Sequence, residues 1–187
     1  MKWLLPCLLA CVFATGCQTV VPLDRATIFY DRATFPEKLQ QDTGVIDEPI
    51  LQHGRCHLHL ATPEATITTN ARFCTYVMTK HYLLIQEWDI ANTKYTQFMR
   101  VDFSRLTSVD LASFVRMKQV KLREPQRLTA ISAVIDEGGY VDGEATERMF
   151  QMLKAQGIPT TGDNKLLTTP AVNTAPTMIP IIIPTRR

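Results

Sequence analysis

Apolar and polar positions alternate with a period of two over the middle of the chain and shift to a helical period near residue 150. From Arg55 onward, His57-Leu58-His59-Leu60 alternates, and Ala71 to Lys80 carries Phe73, Cys74, Tyr76 and Val77 in a β-rich composition. A hairpin of these two runs centred near Ala65 sets Cys56 across from Cys74. The next predicted strand, His81 to Trp88, has Leu83 and Ile85 on one face and Leu84 and Trp88 on the other. Asp89 to Lys94 reads as a hairpin turn through Asp89 and Asn92. Tyr95 to Phe103 then alternates, with Tyr95, Met99, Val101 and Phe103 inward and Thr96, Arg100 and Asp102 outward. Ser104 to Ser113 reads as a connection anchored by Leu106, Val109 and Leu111. Phe114 to Leu122 and Arg127 to Ile135 make a further hairpin broken at Glu124-Pro125-Gln126. Connections this short exclude parallel crossovers, so about six strands form an antiparallel meander.

The clearest helix is Glu144 to Gln156, where Ala145, Met149, Met152, Leu153 and Gln156 fall along one side with Phe150 beside them. Asp142 is its candidate N-cap, Gly157 suits the position after its end, and Pro159 prevents continuation. An amphipathic helix following a meander lies on the sheet or plugs an open barrel end. The predicted fold class is therefore α+β, an antiparallel β-meander or small barrel of about six strands closed by one C-terminal amphipathic helix, over residues 54–158. Ahead of it Pro22, Pro36 and Pro49 interrupt the pattern. A short helix starts near Thr34, with Pro36 in its first turn. Residues 17–53 otherwise read as a tether. Residues 159–187 are a Thr- and Pro-rich tail with an apolar run from Met178 to Pro184 that is too short to span a bilayer. Ile181, Ile182 and Ile183 in that run suit a donor segment for a sheet edge, the alternative being an unpaired end.

Residues 1–16 place one cation, Lys2, before an apolar stretch from Trp3 to Phe13 and finish on Ala14, Thr15 and Gly16, the layout of a secretory signal. Ala14-Thr15-Gly16-Cys17 resembles the lipobox of bacterial lipoproteins. That resemblance implies an acylated Cys17 at the start of the mature chain, anchored in membrane lipid. Gln18 stands where inner-membrane lipoproteins of enteric bacteria often carry Asp, so the same resemblance implies the outer membrane, with the body in the periplasm or at the cell surface. The order of a "TYVMT" strand, an "HYLLIQEW" strand, a "VDFSRLTSVDL" connection, two further strands and a closing helix is similar to the PH-like barrels of bacterial PH and GRAM families. Such a barrel implies binding of lipids, peptides or its own kind rather than catalysis. The basic phosphoinositide signature of those families is not recognisable here.

Composition narrows the partners. Loss of residues 1–16 removes Lys2 alone among the charges and leaves 19 basic against 18 acidic residues, which argues against a nucleic-acid partner. A hydrophobic content of 45% supports one ordinary core. Cys7 and Cys11 belong to the signal and Cys17 to the lipid, which leaves Cys56 and Cys74. In an oxidising compartment two remaining cysteines read as one disulfide, the alternative being two separately buried thiols.

His53, His57 and His59 gather around Cys56. His57 and His59 share a strand face and suit a Zn or Cu ion if a third ligand such as His81 joins them. No carboxylate or CxxC completes that set, so no metal or other cofactor is expected. GxSxG, SxxK and HExxH are absent, and the acids Asp136, Glu137, Asp142 and Glu144 sit in a glycine-containing link, so no catalysis is expected. Arg116 and Lys118 head a basic strip with Lys121, Arg123 and Arg127 that suits lipid phosphates, lipopolysaccharide or an acidic partner surface, the alternative being an ordinary solvated strand face. The sequence points to a binding or adaptor subunit of an envelope assembly with a protein partner. The alternatives are a metal-binding or hydrolytic envelope protein using the histidine group, and an inhibitor of an incoming hydrolase.

Overall fold

Strand pairing in the computed structural model, which describes residues 29–170, builds a single antiparallel sheet. Cys17, the signal region and Ile181 to Ile183 lie outside the described residues. The strands are β1 (Gln52–Ala61), β2 (Asn70–Met78), β3 (Tyr82–Asp89), β4 (Lys94–Asp102), β5 (Ser108–Phe114), β6 (Met117–Glu124) and β7 (Arg127–Val134), in the spatial order β4-β3-β2-β1-β7-β6-β5. Two α-helices accompany them among the described residues, α1 (Phe35–Thr43) and α2 (Gly143–Ala155). The architecture is α+β as expected, with seven strands rather than six. The extra strand is β5, whose first six residues, Ser108 to Ser113, read as a connection because Val109 and Leu111 are separated by a buried acid, Asp110, while Phe114 read as the start of the next strand. Strands β4 and β5 stand at opposite edges, so the sheet is open.

The β1–β2 pairing sets Cys56 opposite Cys74, the register expected from the hairpin. One face carries the main core: Cys56, Leu58, Cys74, Tyr76, Leu83, Ile85, Val101, Val120, Leu122 and Ile131 meet Ala145, Met149 and Leu153 of α2. That helix begins on Asp142, whose carboxylate accepts from the Ala145 amide at 2.9 Å, and Gly157 follows it at φ +81°. Gln52 Nε2 donates both to the Tyr76 hydroxyl at 2.6 Å and to the Ala145 carbonyl at 2.9 Å, tying β1 to the helix.

The opposite face is buried as well, by the two ends of the described chain. Phe35 and Leu39 of α1, with Tyr30, Val45, Ile46 and Ile50, cover Val77, Tyr82, Leu84, Tyr95 and Trp88. Residues 30–50, placed in the tether by their polar, proline-broken pattern, are thus packed against the sheet, because two apolar side chains one helical turn apart suffice to dock so short a helix. Beyond α2 the chain turns back over β5, β6 and β7 as far as Leu167, which is buried against Leu128 and Ala130. The first residues of the tail are therefore part of the body. A covered second face explains why Tyr82-Leu83-Leu84-Ile85 is apolar without alternation.

Tyr95 lies on this second face and not with Met99, Val101 and Phe103. Between the Ile85–Met99 and Gln86–Gln97 pairs the register shifts by one residue, and the bulge reverses the facing of everything N-terminal to it in β4.

Leu153 is fully buried against the sheet, so Leu153→Ala is expected to cost about 2–5 kcal/mol, seen as a lowered urea midpoint at unchanged m value. Asp142→Ala removes only the cap and should cost about 1 kcal/mol in the same measurement.

Candidate functional site

Strands β5 and β6 are joined by two residues, Val115 and Arg116, because Phe114 pairs directly with Met117. Two-residue hairpins favour Gly, Asn or Asp at positions of positive φ. Val115 adopts φ +55°, an outlier for a β-branched side chain. Phe114 is 67% exposed, Val115 84% and Met117 49%, with Arg116 exposed among them. Beside this tip runs the link from β7 to α2, whose Ile135 and Tyr140 are also exposed. The two loops touch: a Cβ at Gly143 would stand 3.8 Å from the Arg116 carbonyl oxygen and 3.6 Å from the Lys118 side chain. Arg55, buried in β1, fixes the link by donating from Nη1 to the carbonyls of Asp136 at 2.9 Å and Gly138 at 2.7 Å. The result is an apolar prominence with one cation at its centre.

The basic strip expected around the hairpin of Phe114–Leu122 with Arg127–Ile135 is divided up by ion pairs. Lys118 bonds to Glu147 of α2, and Lys121 and Arg123 to Asp163 of the C-terminal segment. Arg127 bonds to Glu124. Burial works to raise the Asp163 carboxyl, yet the hydrogen bonds from Lys121 and the Lys165 amide, with the charges of Lys121 and Arg123, together hold the group below its ordinary value. Arg116 and Lys118 do not form one basic face: Arg116 occupies the turn while Lys118 reaches down to the helix.

Nor do the histidines converge as a group of four. His53 stacks on Phe35 under α1, with its Nδ1 3.1 Å from the Tyr30 hydroxyl, and His81 meets Glu48 at 2.9 Å. His57 and His59 remain together on β1, ring centres 4.3 Å apart, with His57 stacked on Phe73 at 4.7 Å. Among the described residues no cluster of three or more His, Cys, Asp or Glu is placed to hold a metal. The pair lines a cavity of about 220 Å³ walled by Met117, Lys118, Gln119 and Ser132 and closed by residues 166–169. His59 is 6% exposed and its Nδ1 has no hydrogen-bond partner. Burial, and secondarily the neighbouring His57, push its pKa down to about 4.

On the other face Cys56 and Cys74 are buried free thiols with Sγ atoms 2.7 Å apart. Burial pushes the Cys56 thiol well above its ordinary value. No thiolate nucleophile is presented there. Sequence reasoning had singled out Arg116 but passed over Phe114, Val115 and Met117, since strand residues alternating toward a turn carry no sign of which end stays uncovered. The readable signal was a Val where a two-residue turn favours Gly or Asn.

The fold favours neutral His59, whereas the unfolded chain takes up the proton near pH 6.5. Stability present above pH 6.5 is therefore lost as pH falls toward 4. Thermal unfolding across that window should show a smaller loss for His59→Gln than for the wild type, with His53, also shifted down by burial, supplying the remainder.

No protein-family model matches this chain, and no curated protein matches it. Among solved structures it is similar to the hSac2 domain from human phosphoinositide phosphatase Sac2, with a TM-score of 0.39 and 12% identity over 75% of this chain and 90% of that one.

Proposed function

We propose that this protein is a lipid-anchored envelope lipoprotein that works by binding another envelope protein through the β5–β6 tip. Acylated Cys17 holds it in the outer membrane, and the body, a PH-like arrangement by element order, stands in the periplasm. One observation carries the binding role: Phe114, Val115 and Met117 are exposed together around Arg116 on a hairpin held in an unfavourable turn conformation. Contiguous exposed apolar side chains mark interaction sites, and aromatic, Met and Arg residues are the types enriched at interface centres. Backbone strain retained in an otherwise well-paired hairpin is the further sign of a position kept for a purpose. Among the described residues no helix is long and apolar enough to cross a membrane.

Two measurements test this reading. Crosslinked co-purification of the full-length lipoprotein from detergent-solubilised envelopes should capture a specific partner that is lost with Phe114→Ser or Val115→Gly. Val115→Gly should at the same time raise the melting temperature, because glycine accepts the positive φ at no steric cost. Equal capture by wild type and both variants sinks the tip as the binding surface.

Export into an oxidising compartment also predicts that Cys56 and Cys74 close as a disulfide. Protein isolated from the envelope should then show no free thiol on denaturation, and two after reduction. Bridging positions 18 apart contributes about 3 kcal/mol by loop closure, so the reduced form should melt lower.

A further inference from the structure

The cavity beside β1 has a composition that selects its occupant. We propose that it is a binding site for a soft monovalent metal ion, Cu(I), held by the imidazoles of His57 and His59 and the thioether of Met117. The inference stands apart from the partner-binding role and would survive its failure.

The argument begins with β1. Residues two apart on a strand face the same side, and the two rings lie with centres 4.3 Å apart, close enough to share one ion at the usual metal–nitrogen distance of about 2.0–2.1 Å. His59 is 6% exposed, and its Nδ1 is a buried polar atom without a partner. Such atoms are rare in folded proteins because each costs a lost hydrogen bond, so a ligand that engages it answers a deficit in the structure. Met117 borders the same cavity of about 220 Å³. Its unbranched, half-exposed side chain is adaptable enough to turn its sulfur inward.

Charge decides which ion. No carboxylate or thiol lines the cavity among the described residues, and Lys118, the one residue of its lining that carries a charge, has its ammonium bonded to Glu147 of α2. Two imidazoles and a thioether, all neutral, disfavour Zn²⁺, whose sites use anionic or three-imidazole sets, and disfavour oxygen-seeking Ca²⁺ and Mg²⁺. Two imidazoles and a thioether suit a soft ion of single charge. The wall that completes the cavity is fixed in place: the Leu167 amide donates to Gln119 Oε1 at 2.8 Å, and Gln119 Nε2 returns a bond to the Leu167 carbonyl at 3.2 Å.

The competing ligands are the thiols of Cys56 and Cys74 on the opposite face, so the test removes them by forming their disulfide. Oxidised full-length lipoprotein in detergent is titrated without oxygen against a chromophoric Cu(I) chelator, and separately with Ag(I) as the redox-inert analogue. One equivalent per chain is expected, weakened at least tenfold by Met117→Leu and by His57→Gln, with Zn²⁺ unable to compete. Ag(I) should shift the Met117 methyl resonance and the imidazole resonances of both histidines in the wild type. Loss of binding on oxidation assigns the metal to the thiols and overturns the proposal. Binding unchanged in both variants, or displaced by Zn²⁺, also overturns it. Met117→Leu alters an exposed side chain of similar volume, which keeps the test decisive if His57→Gln fails to fold.

Discussion

Two-sided burial of the sheet is the constraint on which the rest of the structure depends. A seven-stranded antiparallel sheet with one helix needs only one apolar face. Here the second face is made up of Val77, Tyr82, Leu84 and Tyr95 on one side and Leu128 and Ala130 on the other. Both ends of the body must therefore fold back over it. The N-terminal cover is apolar, through Phe35 and Leu39. The C-terminal cover is largely polar: Asp110 of β5 accepts from the amides of Thr161 at 2.7 Å and Gly162 at 2.8 Å, Gln119 of β6 holds Leu167, and Lys121 pairs with Asp163. Asp110, Gln119 and Lys121 are each buried and each find a partner in that one segment. Removal of one partner from such a pair costs more than the pair contributes, so the segment is held as a set.

Much of this was legible. Folding the two β-rich runs as a hairpin centred near Ala65 gave the Cys56–Cys74 register, and the Asp142 cap with Gly157 bounded the helix to within a residue. What escaped has identifiable causes. Strand β5 was hidden because Asp110 looks like a break in an apolar pattern until Thr161 and Gly162 are seen to satisfy it. The facing of Tyr95 was reversed by a bulge that leaves no mark in a period-two count. Residues 159–168 resembled a linker because their docking is done by backbone amides, the side chains of Thr161 and Asp163 and a single Leu, none of which produces periodicity.

The candidate sites show the same division. Strand periodicity correctly kept His57 and His59 on one face, and it had no means to tell that His53, four residues before His57 on that face, is taken up by Phe35 and Tyr30 under α1. His81 is held apart from the pair by its bond to Glu48. The charge strip failed for a related reason. Lys121 and Arg123 look solvated on a strand face until Asp163, forty residues away, is laid across them.

The Val115 conformation follows from these long-range contacts and in turn defines what the tip can do. A left-handed backbone costs a residue with a Cβ roughly 1–2 kcal/mol and persists only where its surroundings over-determine it. Seven consecutive cross-strand pairs from Ser108–Arg123 to Phe114–Met117 fix the hairpin register, and the Lys118–Glu147 pair ties its base to α2. The neighbouring link is held separately by Arg55. The exposed side chains are consequently presented from a backbone that has few conformations left to lose. Ordering of a mobile loop is among the main costs of forming an interface, and a tip already fixed by its own scaffold avoids most of it. An apolar prominence this small can support specific binding only on such terms, since its area alone would be too little to offset the freedom lost on association.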